Sequence, residues 1–262
     1  MVVLKTSREL KAMREAGRIS ANALKLAGEA VEPGITTWEI DEIVRKYIEG
    51  QGAVPSFLGY GGFPASVCIS VNNVVIHGIP SKKCVVKKGD IVSIDIGAHF
   101  NGFHGDNAWT FPCGDISEEA RALLDATRES LFEGIKMAKA GNRIGDIGSA
   151  VQRYVEARNY SVVRDFVGHG VGAKLHEDPS VPNFGTPGRG VRLLPGMTIA
   201  IEPMVNAGTY EVEILSDEWT TVTADGKLSA HFAARAWQIT PGWSSDSDSS
   251  QTIDEKGRRP WN

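Results

Sequence analysis

Four short segments place carboxylates and imidazoles where an apolar strand or a glycine turn would hold them. In Ile94-Asp95-Ile96-Gly97 an acid interrupts an apolar run, and a buried carboxylate without a partner is costly. His104-Gly105-Asp106 follows, and an antiparallel hairpin would bring Asp106 beside Asp95. In Val167-Gly168-His169-Gly170-Val171-Gly172 glycines flank an imidazole and let backbone or ligand approach its ring, with His176 seven residues on. Thr198-Ile199-Ala200-Ile201-Glu202-Pro203 ends another apolar strand on an acid, and Val74-Val75-Ile76-His77-Gly78 ends one on an imidazole. Taken singly, each has a plain structural reading: an Asp held by backbone donors or an Arg, a histidine satisfied in the core. Taken together, two Asp, one Glu and one His form an oxygen-rich mixed donor set. Like charges gathered so closely cannot all stay ionised unless a cation neutralises them. Such a set suits Mn²⁺, Fe²⁺, Co²⁺ or Zn²⁺. The glycine pattern around His169 fits a dinucleotide fingerprint poorly, because no acid stands about 20 residues on.

The elements that must position these groups repeat. Thr6-Ser7-Arg8-Glu9 has the form of a capping box, and Leu10, Met13, Ala16, Gly17, Ile19, Ala23, Leu24 and Leu26 recur behind it at helical spacing. This helix should stop before Pro33-Gly34. A second should run from near Thr37 to Gly50, burying Ile40, Ile43, Val44, Tyr47 and Ile48. The stretch from Gly59 to Pro64 reads as a loop, and Ser66 to Val71, Val74 to Ile76 and Ile91 to Ile96 as strands. Around Asp115-Ile116-Ser117-Glu118 the pattern starts again. Gly34 matches Gly141, Ile40 matches Ile147, Val44 matches Val151, Tyr47 matches Tyr154, Gly89 matches Gly196 and Asp95 matches Glu202, each pair 107 residues apart. Two related α+β halves are expected, about 5–115 and 116–240, packed as a pseudo-twofold pair with one strand carboxylate from each. Residues 1–240 are then one domain. From 241 to 262 the chain is polar and low in complexity, too poor in apolar area to offset its ordering entropy, and a disordered tail is expected.

Composition bounds the function. Of 262 residues 42% are hydrophobic, which with this length suffices for a real core. The net charge of −4 gives no general basic field for nucleic acid or anionic lipid. Cys68, Cys84 and Cys113 are too few and too scattered for a disulfide framework or a CxxC metal site. No apolar run is long enough to span a bilayer, and the first residues lack a signal-peptide core. A cytoplasmic protein without membrane or nucleic-acid partners is expected.

Asn72-Asn73-Val74-Val75-Ile76-His77-Gly78-Ile79-Pro80, Asp95 with Asp106, Gly168-His169-Gly170-Val171-Gly172 and Ile201-Glu202-Pro203-Met204 resemble the type I methionine aminopeptidases, the pita-bread metallopeptidases, in one register from about Leu4 to Phe232. The resemblance implies an α+β pita-bread fold with antiparallel sheet covered by helices. It makes Asp95, Asp106, His169 and Glu202 ligands of divalent ions (Co, Mn, Fe or Zn), two in the family. His77 and His176 become the groups that meet the substrate amide. Tyr60, Phe63, Cys68, Leu175 and Trp219 become the methionine pocket. Asn72, Val74 and Ser229 fall where the family holds a monovalent cation. The partners implied are nascent polypeptide N-termini, with ribosome association, and the chain is expected to act as a monomer.

One departure matters. The family carries a fifth ligand, a glutamate bridging both metals, in a segment resembling His-Phe-Glu-His-Thr, whereas here His231-Phe232 is followed by Ala233-Ala234-Arg235. An alanine cannot bridge cations, so a single tightly held ion and weak hydrolysis are expected. Codon degeneracy allows Ala233 to Gln238 to be read, with single bases removed, as Glu-His-Ala-Val-Ala, and Pro241 to Asp248, shifted by one base, as Pro-Asp-Gly-Pro-Pro-Ile-Leu, which would make both the lost ligand and the polar tail products of a shifted frame. The first rival reading is a catalytically weak or dead protein of this fold that binds N-termini or a partner. The second is a proline-specific relative, prolidase or aminopeptidase P, which usually carries an additional N-terminal domain.

Overall fold

Thr6 caps the first helix as its spacing predicts. In a computed structural model, which describes residues 1–238, Glu9 N–H donates to Thr6 Oγ1 and the Glu9 carboxylate accepts the Thr6 N–H at 2.7 Å. The expected tail at 241–262 lies outside the described residues. Helices α1 (Ser7–Glu29) and α2 (Thr37–Gly50) form the first pair, and α3 (Glu118–Met137) and α4 (Ile144–Glu156) the second. Among the described residues no helix is long and apolar enough to cross a membrane.

The first half adds strands β1 (Val54–Pro55), β2 (Cys68–Val71), β3 (Val74–Ile76), β4 (Ile91–Phe100) and β5 (Phe103–Pro112). The second adds β6 (Ser161–Val162), β7 (Gly168–Gly170), β8 (Glu177–Val181), β9 (Thr198–Ile201), β10 (Met204–Asn206), β11 (Val212–Ile214), β12 (Thr221–Thr223), β13 (Ser229–His231) and β14 (Ala234–Gln238). Every pairing is antiparallel, but hydrogen bonding divides the strands into separate sheets. Strands β1, β4 and β2, with β5 on β4, make one; β14, β9, β7 and β8 make its counterpart. The chain breaks into short strands where Pro203 and the turn at Asn72-Asn73 interrupt the ladders.

The offset of 107 residues reaches individual hydrogen bonds. Gly34 N–H donates to Val86 O at 2.8 Å, and Gly141 N–H to Leu193 O at 3.0 Å. Thr36 bridges Val85, and Arg143 bridges Arg192. Gly34 and Gly141 hold φ of 103° and 97°, a conformation that excludes most side chains and ends each turn in the same place. The cores follow the same offset. Ile40, Val44, Val92 and Ile94 are fully buried in one, and Ile147, Val151, Ile199 and Ile201 in the other. Helix pairs thus seal one face of each sheet. Asp95 follows Ile94 and Glu202 follows Ile201, so strand alternation turns both carboxylates to the opposite face.

Candidate metal centre and peptide pocket

Strand register sets the site. Along β4 and β5, Asp95 is paired with Ala108, and Gly97 with Asp106. On the other side of β4, Cys68 of β2 is opposite Asp95. Ala108 in turn bridges Ala233, whose N–H donates to Ala108 O at 2.9 Å. Directly opposed residues project to one face, so Cys68, Asp95, Ala108 and Ala233 form a single row, with Asp106 in the next. Strand β7 brings in His169. A Cβ at Gly168 would lie 2.4 Å from Ala200 O, and one at Gly170 2.2 Å from Asp178 O. The glycines around His169 therefore serve the close approach of neighbouring backbone.

His169 Nε2 lies 3.3 Å from Asp106 Oδ2 and 3.4 Å from Glu202 Oε1. His231 Nε2 lies 3.6 Å from Glu202 Oε2. Burial, then the negative charges of Asp106 and Glu202, push the Asp95 carboxyl well above its usual range. Burial opposes charge on His169, but Asp106 and Glu202 outweigh it and push its pKa up to about 9. Among the described residues no three such donors already stand at metal-ligand geometry. The chemistry of the set nevertheless fits a divalent ion. Acids from both halves converge on one imidazole, and Glu202 Oε1 and His231 Nε2 are buried without a hydrogen-bond partner. A cation would satisfy what the protein leaves open.

The resemblance-derived pocket residues come together beside this cluster. Phe63, Cys68 and Leu175 pack with Phe57 and Ala65, and Trp219 and Ile79 lean on them. Phe63 and Trp219 meet edge to face at 5.2 Å. Tyr60 Oη is 2.7 Å from His176 Nδ1, and the His176 ring stands 4.2 Å from that of His169. Burial and then the neighbouring His169 lower the His176 pKa. His77 has φ of 59°, unusual for a side-chain-bearing residue, and its ring meets Trp219 and Phe166 edge to face. Burial above all, then His231, lowers its pKa to about 4.

Asn72 and Ser229 also adjoin: Ser229 N–H donates to Asn72 O at 2.9 Å, and Val74 opens β3 nearby. Sequence reasoning missed His231 as a neighbour of Glu202, Phe57, Ala65 and Ile79 beside the apolar cluster, and Phe166 as the ring against His77. Only His231 carried a signal, an imidazole in an apolar strand next to the position of the missing acid.

Helix pairs backing antiparallel sheets, with acids and imidazoles enclosed between the halves, define the class of the pita-bread metallopeptidases. Known proteins agree. The profile of metallopeptidase family M24 matches residues 11–235. The chain is 55% identical to methionine aminopeptidase 1 of Bacillus subtilis (strain 168) and 59% to the methionine aminopeptidase of Clostridium perfringens, in each case over 88% of this chain and 93% of the relative. The crystal structure of the Thermotoga maritima methionine aminopeptidase superposes with a TM-score of 0.90 at 45% identity, covering 92% of this chain and 96% of that one. The Pyrococcus furiosus prolidase shares the fold at a TM-score of 0.73 and 23% identity, with 63% of its length covered. The chain belongs to metallopeptidase family M24, on its methionine aminopeptidase branch.

Proposed function

We propose that the chain removes the initiator methionine from nascent proteins and peptides in the cytoplasm, with Asp95, Asp106, His169 and Glu202 as ligands of divalent ions and with activity impaired by Ala233. The observation that carries this reading is the contact of His176 with both sides of the site, His169 in the acid cluster and Tyr60 at the apolar pocket. The names of the relatives support methionine as the residue removed.

When bound, divalent ions supply an electrophile for the scissile carbonyl and a water acidic enough to ionise near neutral pH. The protein's own part is placement. Phe63, Cys68, Leu175 and Trp219 offer an apolar, polarisable wall of a size suited to a thioether side chain. His176, with Nδ1 engaged by Tyr60, keeps Nε2 for the peptide amide. His77 is neutral at physiological pH and is held against Trp219, where it can donate one hydrogen bond without adding charge. With a methyl at 233, that end of the carboxylate row has neither a ligand nor a proton acceptor. Asp106, His169 and Glu202 would hold one divalent ion, while a second would keep too few carboxylates to be held well. Asn72, Val74 and Ser229 would hold a monovalent cation, and the chain would work as a monomer on N-termini at the ribosome.

Ala233 also favours a second reading, a binding protein of this fold with little turnover. Hydrolysis of a Met-Ala-type peptide with added Mn²⁺ separates the two. Slow, metal-dependent release of methionine that Asp106→Asn abolishes supports the peptidase; peptide binding without release supports the second reading.

A further inference from the structure

The hairpin that carries Asp95 and Asp106 ends in a pair of imidazoles that the proposed hydrolysis does not use. Asn101 and Gly102 form its two-residue loop with φ of 50° and 83°, the left-handed pair that a type I′ turn needs. Phe100 and Phe103 close the loop, which places His99 directly opposite His104 one step further along. Beside a closing hydrogen-bonded pair the next pair is non-hydrogen-bonded, the position where opposed side chains come closest. His104 N–H accordingly points away from the ladder, to Gly172 O at 2.9 Å. The two ring centroids are 4.5 Å apart with planes inclined at 37°. Both residues are partly exposed, so solvent and ions reach them. His104 Nδ1 lies 2.9 Å from Ser56 Oγ. That bond engages one ring nitrogen and leaves Nε2 for a ligand, the way an outer hydrogen bond orients metal-binding histidines.

We propose that His99 and His104 form a two-imidazole site for a borderline divalent transition ion, Zn²⁺, Ni²⁺ or Cu²⁺, with water completing the coordination sphere. Imidazole nitrogens suit these ions, and cross-strand opposition brings both donors to one side of the hairpin before any ion arrives. The site is separate from the acid cluster: it shares a strand face with Asp106 but takes no donor from Asp95, Asp106, His169 or Glu202.

The test is a calorimetric Zn²⁺ titration of the full chain and of His99→Gln, His99→Cys and His169→Ala. His99→Gln should lose one class of bound ion, or weaken it by at least about tenfold. His169→Ala should keep the class that His99→Gln loses. His99→Cys should retain it, and with Co²⁺ in place of Zn²⁺ should show a thiolate charge-transfer absorption that the parent lacks. Equal stoichiometry and affinity in the parent and His99→Gln would overturn the proposal and leave the rings a packed pair only. Should His99→Gln fail to fold, the Co²⁺ spectrum of His99→Cys decides: absence of the thiolate band overturns the proposal equally.

Discussion

Asp95 and Ala233 flank Ala108 in one cross-strand row, so that a side chain at 233 projects to the same face as the Asp95 carboxylate with only a methyl group between them. The row continues to Cys68 on the far side of Asp95, where the apolar pocket begins. The backbone for a further carboxylate is therefore in place, down to the hydrogen bond from Ala233 N–H to Ala108 O. What this chain lacks is the side chain.

Removing one acid of the cluster should hurt turnover far more than folding. Asp95 is pushed well up by burial and by the charges of Asp106 and Glu202, a sign that the cluster is self-repelling as it stands. Asp106→Asn should lower metal-dependent turnover by at least about 100-fold. Without added divalent ions, its unfolding free energy should stay within about 1 kcal/mol of the parent. Denaturant titration beside peptide hydrolysis checks both; a large loss of stability with turnover retained would reverse the assignment.

The pocket wall should govern substrate affinity. Trp219→Ala removes the edge-to-face partner of Phe63 and one neighbour of His77. An aromatic contact with its burial is worth about 2 kcal/mol, so KM for Met-Ala-type peptides should rise roughly tenfold or more, with kcat changing less. Steady-state kinetics distinguish this from a loss confined to kcat, which would place Trp219 outside the pocket.

Two histidines should give the fold opposite pH responses. His77 falls from an ordinary 6.5 to about 4, so between those values the unfolded chain binds more protons than the folded one. Its effect is absent above about 6.5 and destabilises progressively as pH falls toward 4. Near pH 5 the loss is about 2 kcal/mol, and His77→Gln should remove it. His169 rises to about 9, so its contribution is full below 6.5 and lost as pH climbs through 9. Denaturation midpoints of the parent and His77→Gln, compared across this range without added metal, test the signs.

The halves were legible because their signals are local. A Thr with a Glu three residues on caps each helix of the first half, and a Gly held at positive φ and an apolar stripe, each acting within a few residues, recur at the one offset in the second. Asp95 and Glu202 could be singled out because a carboxylate in an apolar strand conflicts with its surroundings, Asp106 because a hairpin would bring it beside Asp95, and His169 because glycines flank its imidazole. The pocket wall was less legible. Phe57, Ala65 and Ile79 are apolar residues among many, and only tertiary packing gathers them beside Leu175. His231 reaches Glu202 through the pairing of β13 with β10, a long-range register that no local pattern encodes. Whether backbone or ligand presses on the glycines around His169 was open in the sequence for the same reason, since the backbone groups that do so belong to the distant Asp178 and Ala200.

The central claim is that Ala233 leaves the metal centre incomplete. Mn²⁺ titration by calorimetry, run beside Met-Ala peptide turnover, compares the parent with Ala233→Glu and with Ala233→Glu combined with Ala234→His. The parent should bind one ion tightly and turn over slowly. The variants should bind two and hydrolyse the peptide at least about 100-fold faster, as expected when a catalytic carboxylate is restored. Two tight equivalents and full turnover in the parent, or no gain of either in the variants, would contradict it.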